Sequence, residues 1–250
     1  MSMLAIKGVA VDHGRMRAVW DVSLDVAKGQ SIALIGMDGA GKSTTLGAIS
    51  GLYAVSQGDI LLDGESIRRC RARDILSRGV VLVPEGRRLW PNMTVRENLE
   101  MGVYLPEFRG RLSINLETVF ALFPMLEEKS SSPAGELSGG QQAAVAVARA
   151  LMSSPKVLLL DEPFIGMSPL FVEQLKDSLR TARQRTGVTI ILVDQDFVRA
   201  MSITQRSYVL VNGRTVMEGS GAELLANPEF AKTFLGIDKG EDGSPDPSVC

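Results

Sequence analysis

Cysteine is scarce: Cys70 and Cys250 are the only two in 250 residues, too few for a disulfide framework or a thiolate metal site. Cys250 ends a polar tail and reads as a free thiol, which fits a reducing compartment. No uninterrupted apolar run approaches the ~20 residues that span a bilayer. The opening Met1-Ser2-Met3-Leu4-Ala5 lacks the basic start and apolar block of a secretory signal. These absences predict a cytosolic chain that reaches a membrane only through a partner. Surplus charge is missing too. With 27 basic and 29 acidic side chains the net charge is −2, which offers no electrostatic footprint for nucleic acid. The local cluster of Arg68, Arg69, Arg71 and Arg73 reads as a solvated helix face. Internal repeats are absent. What remains is ordinary globular material, 45% apolar and 22% charged, long enough for one large domain or a core with a subdomain.

β-branched and alternating runs predict strands at 4–9, 22–26, 31–35, 59–62, 80–83, 157–160, 188–193, 208–211 and 215–218. The runs at 157–160 and 188–193 are apolar on both faces, as interior strands of a helix-covered parallel sheet must be. Asn212-Gly213 predicts an antiparallel hairpin, and Gly58 and Gly64 read as short turns. From about 85 to 151 the pattern turns helical, with a capping box at Thr94-Val95-Arg96-Glu97 and a second amphipathic segment at 116–122 closed by Pro124. A further long amphipathic helix covers 170–185. The fold class expected is α/β: a doubly wound P-loop core at 1–84 and 153–237, an antiparallel β edge, and an inserted helical subdomain at about 85–152. The Gly-, Ser-, Pro- and acid-rich stretch 238–250 is expected to be disordered.

Gly36-Met37-Asp38-Gly39-Ala40-Gly41-Lys42-Ser43 follows the apolar run 31–35 and precedes a helix-compatible stretch from Thr44. Strand, glycine loop, helix is the context of a phosphate-binding loop. Glycines allow a tight turn and let backbone N–H groups approach phosphate oxygens, while the helix N-terminus adds its positive dipole end. Lys42 would reach the β- and γ-phosphates and Ser43 would ligate Mg²⁺. The acidic pair Asp161 and Glu162 ends the strand 157–160, and ligands of α/β sheets sit at carboxyl strand ends. Asp161 can hold Mg²⁺ through its water shell, and Glu162 can orient or deprotonate an attacking water. Ser138, with Gly139, Gly140 and Gln141 behind it, caps a second helix start and exposes further amides. A single triphosphate does not need two such termini from one chain. The second therefore reads either as serving a neighbouring copy's nucleotide, in a symmetric dimer, or as no more than the cap of its own helix.

These motifs, in this order and spacing, resemble an ATP-binding cassette (ABC) protein over about residues 4–237. The stretch Val83-Pro84-Glu85-Gly86-Arg87-Arg88-Leu89-Trp90-Pro91-Asn92-Met93-Thr94 is similar to the ATPase subunits of bacterial branched-chain amino acid importers, as are Gly166-Met167-Ser168-Pro169 and Val193-Asp194-Gln195-Asp196. The resemblance implies ATP and Mg²⁺ sandwiched between the phosphate loop of one subunit and residues 137–141 of another, in a homo- or heterodimer. It further implies an importer ATPase, peripheral on the inner face of the cell membrane through permease subunits. By the same analogy Leu89, Trp90 and Met93 form either a docking surface for a permease helix or simply local core. A soluble non-transport ABC ATPase and a regulatory cassette with little turnover are the competing readings.

Several positions depart from the general cassette pattern. Where an aromatic usually stacks on adenine the chain has His13, its only histidine, which offers less stacking area or is merely a turn residue. Glu85 replaces the usual loop glutamine near Mg²⁺. Gln195 aligns with the usual switch histidine and can hold water and the γ-phosphate, but cannot shuttle a proton near neutral pH. Asp38 stands where Asn is commoner and adds like charge near phosphate unless it faces away. Phe164 replaces a commoner serine, and either packs across a dimer or fills a local core.

Overall fold

The computed structural model describes residues 2–235; the stretch 238–250 lies outside them. In chain order the strands are β1 (Ser2–His13), β2 (Met16–Ala27), β3 (Ser31–Ile35), β4 (Val55–Leu62), β5 (Glu65–Ser66), β6 (Val80–Val83), β7 (Val157–Asp161), β8 (Thr189–Val193), β9 (Arg206–Val211) and β10 (Arg214–Gly219). They join in one sheet, ordered β5-β4-β1-β2-β10-β9-β3-β8-β7-β6. Strands β9, β3, β8, β7 and β6 run parallel, while β5, β4, β1 and β2 make an antiparallel wing. The two meet where Arg214 of β10 pairs with Asp21 of β2.

Every residue of β3, β7 and β8 is buried, and their alternation feeds two cores. Ala33, Ile35, Leu158, Leu160, Ile190 and Leu192 face one cluster; Ile32, Leu34, Val157, Leu159, Ile191 and Val193 face the other. Each of these Val, Leu and Ile side chains contributes about 1.5–3 kcal/mol by leaving water, which is why these strands have no polar face. Helix α1 (Lys42–Ile49) covers one side, with α2 (Ala72–Ser77) beside β6. Between β6 and β7 come α3 (Val95–Glu100), α4 (Pro106–Arg109), α5 (Leu112–Leu122), α6 (Pro124–Glu128) and α7 (Gly139–Leu151). The remaining helices are α8 (Pro169–Thr186), α9 (Phe197–Ile203), α10 (Gly221–Ala226) and α11 (Pro228–Leu235). None of the described helices is long and apolar enough to cross a membrane.

Several local expectations hold in detail. Thr94 and Glu97 close a capping box on α3, and Asn212-Gly213 turns β9 into antiparallel β10 with positive φ at both residues (48° and 72°), as a type I′ hairpin requires. Others need correction. Gly58 is no turn: it lies inside β4 at φ 78°, where an added Cβ would overlap the backbone of Gly8. The strand pair approaches too closely there for any side chain. Nor do the four arginines share a helix face. Arg68 and Arg69 sit in a turn, Arg71 caps α2 and only Arg73 is helical. The Arg68 guanidinium donates to the Ser56 carbonyl at 2.7 Å, a bond available only once β4 places that carbonyl nearby. β1 and β2 run well beyond the apolar stretches expected, because polar pairs such as Arg17–Asp12 (2.8 Å) extend the hairpin past its core.

Candidate functional site

Strands β3, β8 and β7 are adjacent and parallel, with Leu34 opposite Val193 and Val193 opposite Asp161. Their carboxyl ends therefore deliver Gly36, Gln195 and Glu162 to one edge of the sheet. After β3 the chain turns through Gly39 and Gly41 into α1. Gly41 has φ 97°, and a Cβ there would press on the Ala18 carbonyl and the Val19 side chain. Only glycine lets the loop lie this close to β2. The buried Lys42 Nζ donates to the carbonyls of Gly36 (2.8 Å) and Met37 (3.0 Å), lying along its own loop. Ser43 Oγ donates to Asp161 Oδ1 at 2.9 Å, bridging loop and acidic strand. His13, exposed at the rim, places Nε2 3.3 Å from Thr44 Oγ1 and its ring edge-on to Tyr53.

Asp161 is buried as the last residue of β7. Burial pushes its carboxyl above the usual range; the Ser43 hydrogen bond and Lys42 oppose this, and Glu85 adds to it. Glu162 follows at φ 49°, a left-handed conformation that costs a non-glycine residue about 1–3 kcal/mol. Its amide donates to the Val193 carbonyl at 3.0 Å, while Oε2 is buried without a hydrogen-bond partner. Burial raises this carboxyl as well, against the Gln195 amide and with Glu85 adding repulsion. Gln195 Nε2 donates to Asp38 Oδ1 at 3.1 Å, so Asp38 faces the site.

The shift at Asp161 fixes a sign for stability. Its folded value lies above its unfolded one, so the folded chain binds this proton more tightly, and ionised Asp161 opposes folding. That penalty is full at pH values above the raised one, shrinks as pH falls through it, and is gone below the unfolded value. Without nucleotide or Mg²⁺, Asp161→Asn should therefore melt above wild type near neutral pH and coincide with it below the carboxylate range. A pH series of thermal melts in which the variant melts lower near neutral pH would refute this.

Asp38, Gly39, Gly41, Lys42, Ser43, Thr44, Glu85, Glu162 and Gln195 line one cleft of about 680 Å³, within the range of small-molecule sites. Trp20, Arg17 and Asn212 line it too and were missed in the sequence. The signal available was strand alternation: Ala18 and Trp20 fall two apart on β2, which the Gly213 carbonyl ties beside the loop by accepting from the Trp20 amide at 2.8 Å. Among the described residues no three His, Cys, Asp or Glu side chains converge as a metal cage. The Ser43 hydroxyl against the Asp161 carboxylate is instead the sparse oxygen set that suits Mg²⁺ when phosphates complete its shell. The donors fit that ion, and the buried, unpartnered Oε2 of Glu162 fits a group that comes in with substrate.

Ser138 caps α7 in a capping box with Gln141, yet none of Ser138, Gly139, Gly140 or Gln141 lines this cleft. Gly140 borders a separate apolar pocket with Met167, Phe171 and Leu175, and Gly139 lies beside Arg87. Arg87 donates to Gln142 Oε1 (3.3 Å) and the Ile165 carbonyl (3.0 Å). Arg149 caps the carbonyls of Arg87 and Arg88 (3.1 and 2.9 Å), both held at positive φ. Its guanidinium also lies over the half-exposed Trp90 ring. Trp90, Met101, Tyr104 and Arg149 border an apolar groove of about 370 Å³. Leu89 and Met93 do not join them; Leu89 packs on the core cluster, and the Met93 carbonyl is bound by Asn98. Phe164 is core, at 2% exposure.

The model of the family described as ABC transporter matches residues 19–165. The chain is 41% identical to the high-affinity branched-chain amino acid transport ATP-binding protein BraG of Pseudomonas aeruginosa, over 94% of this chain and 100% of that one. Among solved structures, an ATP-binding cassette of an ABC transporter in its ADP conformation superposes with a TM-score of 0.81 at 25% identity, covering 95% and 100% of the two chains. A dimeric cassette in a post-hydrolysis state bound to ADP and Pi gives 0.74 at 25% identity, over 87% and 98%.

Proposed function

The chain belongs to the ABC transporter family, whose cassettes bind and hydrolyse ATP, and we propose that it energises import of branched-chain amino acids or related organic solutes. The solute class rests on the relative named for that transport. The observation that carries the mechanism is the separation of the two glycine-bordered helix starts, only one of which opens on the cleft. A nucleotide held in that cleft meets Ser138, Gly139, Gly140 and Gln141 from a second ATPase subunit, identical or related.

In this reading Lys42 and the amides of Gly39, Ala40 and Gly41 hold the phosphates, with Gly36 giving the turn and Thr44 and His13 flanking the nucleoside side. Ser43, Asp161 and Glu85 form the metal-binding set. Mg²⁺ would neutralise charge between the phosphates. Glu162, raised in basicity by burial, orients water and takes its proton. Gln195 reports the γ-phosphate through its amide, which Asp38 holds meanwhile. The catalytic contribution is placement and charge neutralisation rather than covalent chemistry. A division into a core (1–84 and 153–237) and a helical subdomain (about 85–152) puts one helix start in each. Two permease subunits would seat the assembly on the inner membrane face, a permease helix entering the groove at Trp90.

The test is uptake. With permease subunits and a solute receptor in vesicles loaded with MgATP, the chain should drive entry of leucine, isoleucine or valine. Trp90→Ala should cut that entry about tenfold, as loss of a central aromatic anchor does. ATP-dependent uptake that is indifferent to Trp90 removes the docking assignment; no uptake of any of the three removes the solute class.

A further inference from the structure

Gln195 projects from a turn between two carboxylates. Asp194, at 2% exposure, accepts the Asp196 amide at 3.0 Å, and Asp196 caps α9 by accepting the Arg199 amide at 2.8 Å. One side chain closes both ends of this turn. The Arg199 guanidinium forks onto Asp194, with Nε 2.7 Å from Oδ2 and Nη2 on Oδ1, and reaches Asp196 Oδ2 at 3.4 Å. Planar, bidentate pairing of this kind is geometrically exacting and out of a lysine's reach. The same guanidinium lies 5.4 Å from the centroid of the Phe164 ring. Phe164 sits two residues after Glu162, whose amide is tied to Val193 immediately before the turn. Arg199 thus touches both segments that carry the cleft's reacting groups; it makes no hydrogen bond to either group, though its charge and that of Glu162 attract.

We propose that Arg199 is a positioning residue that sets Gln195 against Glu162, through a clamp made of the Asp194 carboxylate and the Phe164 ring. The proposal rests on Glu162 and Gln195 acting in hydrolysis. An unclamped turn lets the Gln195 amide wander by an ångström or so, and misplacement on that scale costs about a hundredfold in rate. Nucleotide affinity, set by the phosphate loop, is untouched.

A double-mutant cycle on the full chain tests it, with MgATP turnover measured for wild type, Arg199→Gln, Gln195→Ala and the pair. The expected result is a kcat loss of about ten- to a hundredfold in Arg199→Gln with KM within about twofold, and little further loss when Gln195→Ala is already present. Losses that multiply, or a KM that rises as kcat falls, overturn the clamp. Phe164→Leu keeps the core filled while removing the π face, so it serves if Arg199→Gln does not fold; it should lose severalfold in kcat alone, and unchanged kcat overturns the proposal. Glu162→Gln run alongside separates the premises. If it turns over normally the assignment of the site fails, whereas an inactive Glu162→Gln beside a fully active, folded Arg199→Gln defeats the clamp only.

Discussion

The Glu162→Gln chain should lose steady-state ATP turnover by about 10²–10⁴-fold and bind MgATP at least as tightly as wild type. Glutamine keeps the shape of the side chain and its left-handed backbone, so the cleft stays formed. What goes is the basic oxygen and one negative charge among the four of Asp38, Glu85, Asp161 and Glu162, of which Glu85 and Asp161 repel Glu162. Without that repulsion the phosphates meet a less hostile wall, while the water they face has no acceptor for its proton. Phosphate release gives the rate, and light scattering with bound nucleotide should show a paired form that persists. Turnover within about twofold of wild type would dismiss Glu162 as the base. If wild type and variant are equally negligible even with permease subunits present, the chain is a regulatory cassette and not a motor.

The second large effect comes from mixing two dead chains. Lys42→Ala removes the cation from the phosphate loop; Ser138→Arg puts bulk and charge at the start of α7. Each alone should be inactive, because every composite site of such a dimer carries the lesion. Mixed in equal amounts they should recover about a quarter of wild-type turnover. Half of the dimers are then heterodimers, and in each of these one site combines an intact Lys42 with an intact Ser138. Both chains must be shown to fold, since Lys42 lies buried against Gly36 and Met37. Folded chains that do not complement in any proportion would mean that each copy works with its own helix starts.

The sheet's interior was readable because its strands had no alternative: apolar on both faces, they can only be central. Turns whose chemistry is local, such as Asn212-Gly213 and the cap at Thr94, were equally plain. The wing was read short, since the ends of β1 and β2 are held by cross-strand polar pairs and not by apolar burial. Gly58 deceived for a related reason. A glycine forced by a neighbouring strand's backbone carries the same letter as one forced by a turn. Of the site, the residues proposed to hold phosphate and metal announce themselves by motif. Trp20 and Arg199 do not, because each acts by reaching a segment far away in the chain: Trp20 the Gly213 turn, Arg199 the ring of Phe164.

Residues 138–141 do not line the cleft that holds Lys42 in their own chain, and a site completed by a second copy has a kinetic consequence. For free chains, completing a site is a second-order event. Specific activity should climb with dilution reversed, and apparent ATP affinity should drift with protein concentration. In the proposed assembly, two copies held side by side on a scaffold of permease subunits would not separate fully, so the encounter would become intramolecular at an effective concentration far above that in solution. The scaffold would then set the pace of the cassette by governing how often its halves meet, with no change at any residue that touches the nucleotide.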